Sequence, residues 1–185
     1  MKGERVILRK VRDGDVADRQ FLGRHPEVLR GFGIIAELFK PMTIEEAETW
    51  VKKLATHPSA WVIEHDGKFI GEVRLDGIDE HDKRASLAVG IYDPQLLGIG
   101  LGSEAIRLCL NHAFDVLNLH RISARVLASN ERAIRCYQKC GFVEEGRERE
   151  AALINGNWQD DLIMGVLNRN NGAPLEEGWQ PKAYG

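Results

Sequence analysis

Glycines stand at alternate positions in the stretch Gln95-Leu96-Leu97-Gly98-Ile99-Gly100-Leu101-Gly102, between a segment with strand character and one with helix character. A glycine turn that opens a helix gathers backbone N–H groups at one point, with the positive end of the helix dipole behind them, and such a place binds phosphate. Glycine is suited to it because it takes positive φ and brings no side chain between backbone and ligand. A connector that holds nothing can have the same composition, so the loop alone leaves both readings open. Two nucleotide motifs are excluded by position. A dinucleotide fingerprint G-x-G-x-x-G from Gly98 needs glycine at 103, where Ser103 stands, and no stretch reads G-x-x-x-x-G-K-[ST].

Other reactive side chains form no constellation of a known kind. Cys136 and Cys140 are four apart, as ligands on one helix face would be, but no second Cys or His pair completes a metal site, and buried reduced thiols are the better reading. Ser103 has no His and Asp partners that would make it a nucleophile, and is read as a helix-start or phosphate-contact residue. Tyr137 shares an apolar helical face with Ala133 and Ile134, where a core tyrosine would also sit.

The elements around these residues follow from periodicity and punctuation. Val6-Ile7-Leu8 reads as a first strand, and Asp13 to Gly23 as a short helix. Thr43 with Glu46 makes a capping box before the helical stripe Ile44, Ala47, Trp50, Val51 and Leu54. Trp61–Ile63 and Phe69–Leu75 form a hairpin around Asp66-Gly67. A fourth strand, Ser86–Tyr92, ends at Asp93-Pro94. After Gly102 a helix is expected with Ala105, Leu108, Cys109, His112, Ala113 and Val116 inward and Glu104, Arg107, Asn111 and Asp115 outward. A strand Arg121–Leu127 follows. The next helix is capped by Asn130 and stopped at Gly141-Phe142, and a last hairpin, about 142–154 and 158–167, turns at Asn155-Gly156. His25 to Pro41 carries Pro and Gly punctuation and the exposed-looking apolar residues Phe32, Ile34, Ile35, Leu38 and Phe39. We expect one domain over 1–167 and a surface tail over 168–185.

The 185 residues suffice for one core, and 43% hydrophobic with 29% charged residues is the mixture of a globular protein. No apolar run is long enough to span a bilayer, and the start has no signal-peptide pattern, so a cytoplasmic location is expected with no membrane partner. A net charge of -3 with pI near 6.1 gives no reason to expect nucleic acid.

Two motifs at compatible spacing carry a family resemblance. Gln95-x-x-Gly98-x-Gly100 matches the pyrophosphate motif Q/R-x-x-G-x-G/A of the GCN5-related N-acetyltransferase (GNAT) superfamily. Asn130-Glu131-Arg132-Ala133-Ile134-Arg135-Cys136-Tyr137-Gln138-Lys139-Cys140-Gly141-Phe142 resembles that family's second signature. The ending Asn155 to Asp160 with Met164 is similar to the branch of ribosomal-protein N-terminal acetyltransferases. The resemblance implies an α/β (α+β) fold: a mixed, mostly antiparallel sheet of about seven strands with about four flanking helices, splayed between strands 4 and 5. It implies acetyl-coenzyme A as co-substrate and no metal. It further implies pantetheine contacts from Val89 to Ile91, and pyrophosphate contacts from Gln95 and the amides of Gly98, Ile99, Gly100, Leu101, Gly102 and Ser103. Asn130 would cap its helix and touch the cofactor, and Tyr137 would donate a proton to the departing thiolate. A phenol with a reference pKa of about 10 is protonated near neutrality and able to do so.

The fourth strand lacks the glutamate that many members use as base: Ser86, Ala88 and Gly90 lie on one face and Leu87, Val89 and Ile91 on the other. Glu72 is the leading substitute, ahead of Asp76 and His81, with proton loss through water equally allowed because an apolar cleft lowers an amine's pKa. For the acceptor, Phe32, Ile34, Phe39 and Trp158 offer apolar walls, and Glu144, Glu145, Glu148, Asp160 and Asp161 offer partners for a cation. The expected activity is acetyl transfer to a primary amine, either a protein N-terminus or a small amine such as a polyamine or aminoglycoside. The alternative is a silent acyl-coenzyme A-binding module. The apolar residues between Phe32 and Phe39 would also suit a homodimer contact.

Overall fold

The computed structural model describes residues 1–34 and 40–169. In chain order the strands are β1 (Val6–Arg9), β2 (Ala60–His65), β3 (Lys68–Asp79), β4 (Arg84–Ile91), β5 (Arg121–Leu127), β6 (Val143–Ile154) and β7 (Asn157–Leu167). The described helices are α1 (Asp15–Leu22), α2 (Pro26–Gly31), α3 (Ile44–Thr56), α4 (Leu101–Asn111) and α5 (Glu131–Gln138). The strands form one sheet in the order β1-β2-β3-β4-β5-β7-β6. Every neighbouring pair is antiparallel except β4 with β5. Five described helices stand where about four were expected, because Pro26 at the helix start nucleates a short α2 inside the punctuated His25–Pro41 stretch. Ile35, Leu38, Phe39 and the tail from 170 onward lie outside the described residues.

Local chemistry explains the turns. Asp66 and Gly67 have φ of 50° and 74°, and Asn155 and Gly156 have φ of 50° and 73°, the positive pairs that a two-residue hairpin needs. Thr43 and Glu46 form the capping box of α3 reciprocally.

Two apolar layers cover the sheet. On one face Leu101, Ala105, Ile106 and Cys109 of α4 and Tyr137 of α5 pack on Leu87, Ile91, Ile122, Val126 and Met164. On the other, Trp50 and Leu54 of α3 with Leu22 of α1 cover Ala60, Val62 and Phe69. The inward stripe of α4 departs from expectation. A π-helical turn over His112–Val116 adds a residue to the repeat and turns Val116 outward, 67% exposed, while Ile106 and Leu110 take buried positions. Glu104, expected in solvent, is buried and accepts hydrogen bonds from the Arg5 and Val6 amides at 2.8 and 3.2 Å, fastening β1 to the start of α4.

The parallel pair matters most for the site. β4 and β5 are paired only at Arg84 with Arg121, Ala85 with Ile122 and Ser86 with Ser123. Beyond Ser86 and Ser123 they separate, leaving a gap between Leu87–Ile91 and Ala124–Leu127.

Candidate active site

The gap opens into a cleft of about 750 Å³. One wall is the end of β4, Val89 to Ile91, followed by the loop through Leu96, Leu97, Gly98 and Gly100 into Gly102 and Ser103 of α4. The opposite wall is Arg125 to Leu127 of β5, then Asn130 and the face of α5 carrying Arg132, Ala133, Arg135, Cys136, Tyr137 and Lys139. Val28, Gly31, Phe32 and Gly33 close one side, and Ala152 and Asp161 line the cleft from the β6–β7 hairpin.

The loop has the form required for an anion. Gly98 and Gly100 have φ of +79° and +96°, and a Cβ on Gly98 would meet nothing within 4 Å, so the backbone is open to a ligand there. The amides of Gly98, Ile99 and Gly100 have no hydrogen-bond partner among the described residues. Those of Leu101, Gly102 and Ser103 belong to the first turn of α4, where a helix has no internal acceptor for them. Six consecutive N–H groups at a helix start, on the wall of a long cleft, fit a pyrophosphate. Arg5 braces the loop from outside: its guanidinium donates to Ile99 O at 2.9 Å and to Glu104 at 3.3 Å. Burial opposes ionisation of Glu104, but the hydrogen bonds from Arg5 and Val6 outweigh it and hold the carboxyl below its usual range.

Of the residues expected at the site, Val89, Ile91, Gly98, Gly100, Gly102, Ser103, Asn130 and Tyr137 are brought together on the lining. Gln95, Ile99 and Leu101 are not on the lining: Gln95 and Ile99 are exposed, the Gln95 amide donates to Asp93 Oδ1 at 2.9 Å, and the Leu101 side chain is in the core. Glu72 is not brought to the cleft. It is buried on the sheet face under α1–α3, opposite Gly90, with one oxygen 2.5 Å from Arg74 Nη1. Asp76 accepts from the same Arg74 and contacts His57, and His81 is exposed in the β3–β4 turn. On β4 a Cβ on Gly90 would meet Phe32 Cζ at 2.8 Å, so the missing side chain makes room for the ring that closes the cleft.

Tyr137 is 5% exposed and packs edge-on against Phe142 at 5.1 Å. Burial raises its phenol pKa, with the neighbouring thiols Cys136 and Cys140 adding to the shift, so it stays protonated at neutrality and beyond. Its hydroxyl has no hydrogen-bond partner among the described residues and is available to a group in the cleft. Asn130 Oδ1 caps α5 by accepting from Ala133 N at 3.1 Å, while Nδ2 donates to Gly31 O at 2.9 Å and so ties α5 to the end of α2. Ser103 Oγ lies 3.2 Å from Cys136 Sγ, and Cys140 donates to Ser103 O, joining α4 to α5. Burial pushes the Cys140 thiol up to about 11 and raises Cys136, which makes both poor thiolates.

Sequence reasoning missed several lining residues. Arg132, Arg135 and Lys139 recur three and four apart on α5 and bring positive charge to the wall facing the loop, a spacing legible in the sequence. Arg125 leaves no such mark, because its place on the wall depends on the splay, whereas Phe32, expected as an acceptor wall, is on the lining.

Residues 5–143 match the model of the family described as Acetyltransferase (GNAT) domain. Spermidine N(1)-acetyltransferase of Vibrio cholerae serotype O1 is 38% identical over 98 residues, 53% of this chain and 56% of the relative. That of Escherichia coli K12 is 36% identical over 107 residues, 58% and 57% respectively. The chain thus matches a little over half the length of these curated relatives. The solved structure of spermidine N-acetyltransferase from Vibrio cholerae in complex with CoA and spermine superposes with a TM-score of 0.74 at 29% identity, covering 89% of this chain and 96% of that one. Two signatures, the splayed parallel pair and a family match over three quarters of the sequence agree: the chain belongs to the GNAT acetyltransferase family.

Proposed function

We propose that the protein transfers the acetyl group of acetyl-coenzyme A directly to a primary amine. One observation carries the reading: strands β4 and β5 part to form a cleft with unpaired amides of a glycine loop on one wall and the buried phenol of Tyr137 on the other. The Gly98–Ser103 amides would hold the pyrophosphate, with Arg132, Arg135 and Lys139 adding charge. The open edge of Val89–Ile91 would accept the pantetheine arm as an added strand, and Asn130 would keep α2 and α5 together around it. Acetyl-coenzyme A supplies an activated thioester. Tyr137 would donate its proton to the sulfur as the C–S bond breaks, and the cleft, lined largely by apolar groups, would favour the uncharged amine that attacks. Glu72, ion-paired to Arg74 and away from the lining, has less support as the base than proton loss through water.

The named activity of the spermidine acetyltransferases supports a polyamine-type acceptor. A protein N-terminus is the second reading, carried by the Asn155–Asp160 ending. The test is release of free thiol from acetyl-coenzyme A across a panel of polyamines, monoamines and peptides, beside a calorimetric titration of the cofactor. Amine-dependent release is expected. Cofactor binding with no amine-stimulated release would make the protein a silent binding module instead.

A further inference from the structure

Asp161 is the only carboxylate among the described residues lining the cleft. It sits on β7 opposite Leu127 of β5 and is 7% exposed. The alternation of β5 puts Arg125 and Leu127 on the sheet face away from α4 and α5, since Val126 and Ala124 belong to the α4–α5 core. Asp161, in register with Leu127, is on that same face. It therefore enters the cleft from the side opposite the glycine loop.

Its two oxygens have different surroundings. Oδ2 is 2.5 Å from Arg125 Nε. Oδ1 is buried without a hydrogen-bond partner among the described residues. A buried carboxylate oxygen left unpaired is strongly unfavourable, and in a residue that lines a cleft it points to a donor that arrives with a ligand. Charge gives the sign of that ligand. Arg125 Nε is shared between Asp161 and Glu148, the latter at 3.1 Å, so one guanidinium faces two carboxylates and the group is short of a positive charge. On the α5 wall, by contrast, Arg132 and Arg135 each have one carboxylate partner, Glu27 and Glu131 at 2.8 Å.

We propose that Asp161 Oδ1 binds a protonated nitrogen of the acceptor that is not the nitrogen acetylated, so that the preferred acceptor carries at least two amines. The second half follows from acid–base chemistry. A carboxylate stabilises an ammonium, an ammonium has no lone pair with which to attack a thioester, and the reacting nitrogen must stand elsewhere in the cleft. The inference rests on the acetyl-transfer reading for its acceptor, and it adds the residue that selects a diamine or polyamine over a monoamine.

The experiment compares the wild type with Asp161→Asn, which keeps the shape and an acceptor for Arg125 but removes the charge. Spermidine is titrated calorimetrically into each protein in the presence of coenzyme A, and spermidine and butylamine are compared in the thiol-release assay. Loss of a charge-assisted hydrogen bond should weaken spermidine binding about 10- to 100-fold. The preference for spermidine over butylamine in kcat/KM should fall by a similar factor, with coenzyme A affinity unchanged. Equal spermidine affinity in the two proteins, or thiol release by the wild type with no preference for spermidine over butylamine, overturns the proposal. So does a variant that has also lost coenzyme A binding, because Asp161 would then be structural. Asp161-dependent spermidine binding by a wild type that releases no thiol would support the subsite and refute acetyl transfer, so the two ideas fail separately.

Discussion

Substituting Gly100 with alanine tests the glycine loop with a magnitude set by its geometry. Gly100 has φ of +96° and ψ of -3°, a left-handed conformation that destabilises an L residue by about 1–2 kcal/mol. The steric addition is minor: a Cβ would lie 3.0 Å from Arg5 Nη2, the far end of a flexible side chain that can move aside. Backbone strain therefore outweighs the clash, and the loop relieves it by turning its amides away from their common direction. If acetyl-coenzyme A needs those amides as they stand, its Kd should rise about 5- to 30-fold. The control is Gly67→Ala in the β2–β3 turn, where φ is +74° and a Cβ would meet nothing within 4 Å. That change carries a similar backbone strain far from the cleft. It should lower the melting temperature and leave the Kd unaltered. Calorimetric titration of all three proteins is the assay, and wild-type affinity in Gly100→Ala would refute the loop as the phosphate site.

Tyr137→Phe keeps the packing on Phe142 and removes only the hydroxyl, so kcat should fall about 10²- to 10⁴-fold at unchanged acetyl-coenzyme A affinity. Because burial raises the pKa of Tyr137, its ionisation should not limit kcat up to the ordinary phenol value of about 10, and a pH–rate profile checks this. Asn130→Ala should lower unfolding free energy by about 2 kcal/mol, one for the cap and one for the bond to Gly31, whereas Asn130→Asp keeps the cap and loses only the second; urea denaturation separates them. Glu104 has a depressed carboxyl pKa, so its contribution is present above the unfolded value of 4.5 and is lost as pH falls through the folded one. Glu104→Gln should accordingly be less stable than wild type by about 1.5–3 kcal/mol near neutrality, with the difference shrinking in acid, as pH-dependent melts will show.

The parts of the fold that depend on neighbours in sequence are readable from it. The Asp66-Gly67 and Asn155-Gly156 turns, the Thr43 capping box and the Asn130 cap are local chemistry, and each has the expected form. What depends on distant contacts is harder to read. Helical periodicity places Glu104 in solvent, but the amides that it receives come from Arg5 and Val6, far away in sequence, and a π-turn shifts the phase of the stripe beyond Asn111. The fourth strand reads as one that lacks a base, and only the fold shows that the small size of Gly90 seats the Phe32 ring. The same holds for Asp161, one acidic residue among several in the last hairpin. Only the register with Leu127 and the burial of one oxygen distinguish it.

Whether the acetyl group passes straight from cofactor to amine is decided by single-turnover mixing with acetyl-coenzyme A labelled in its acetyl group. The wild type, premixed with labelled cofactor and then given spermidine, should pass the label to a spermidine nitrogen. Mass spectrometry of the protein should find no acetyl group on Cys136, Ser103 or any other side chain before the amine is added. Label held covalently by the protein, or retained on coenzyme A when spermidine is present, would contradict direct transfer.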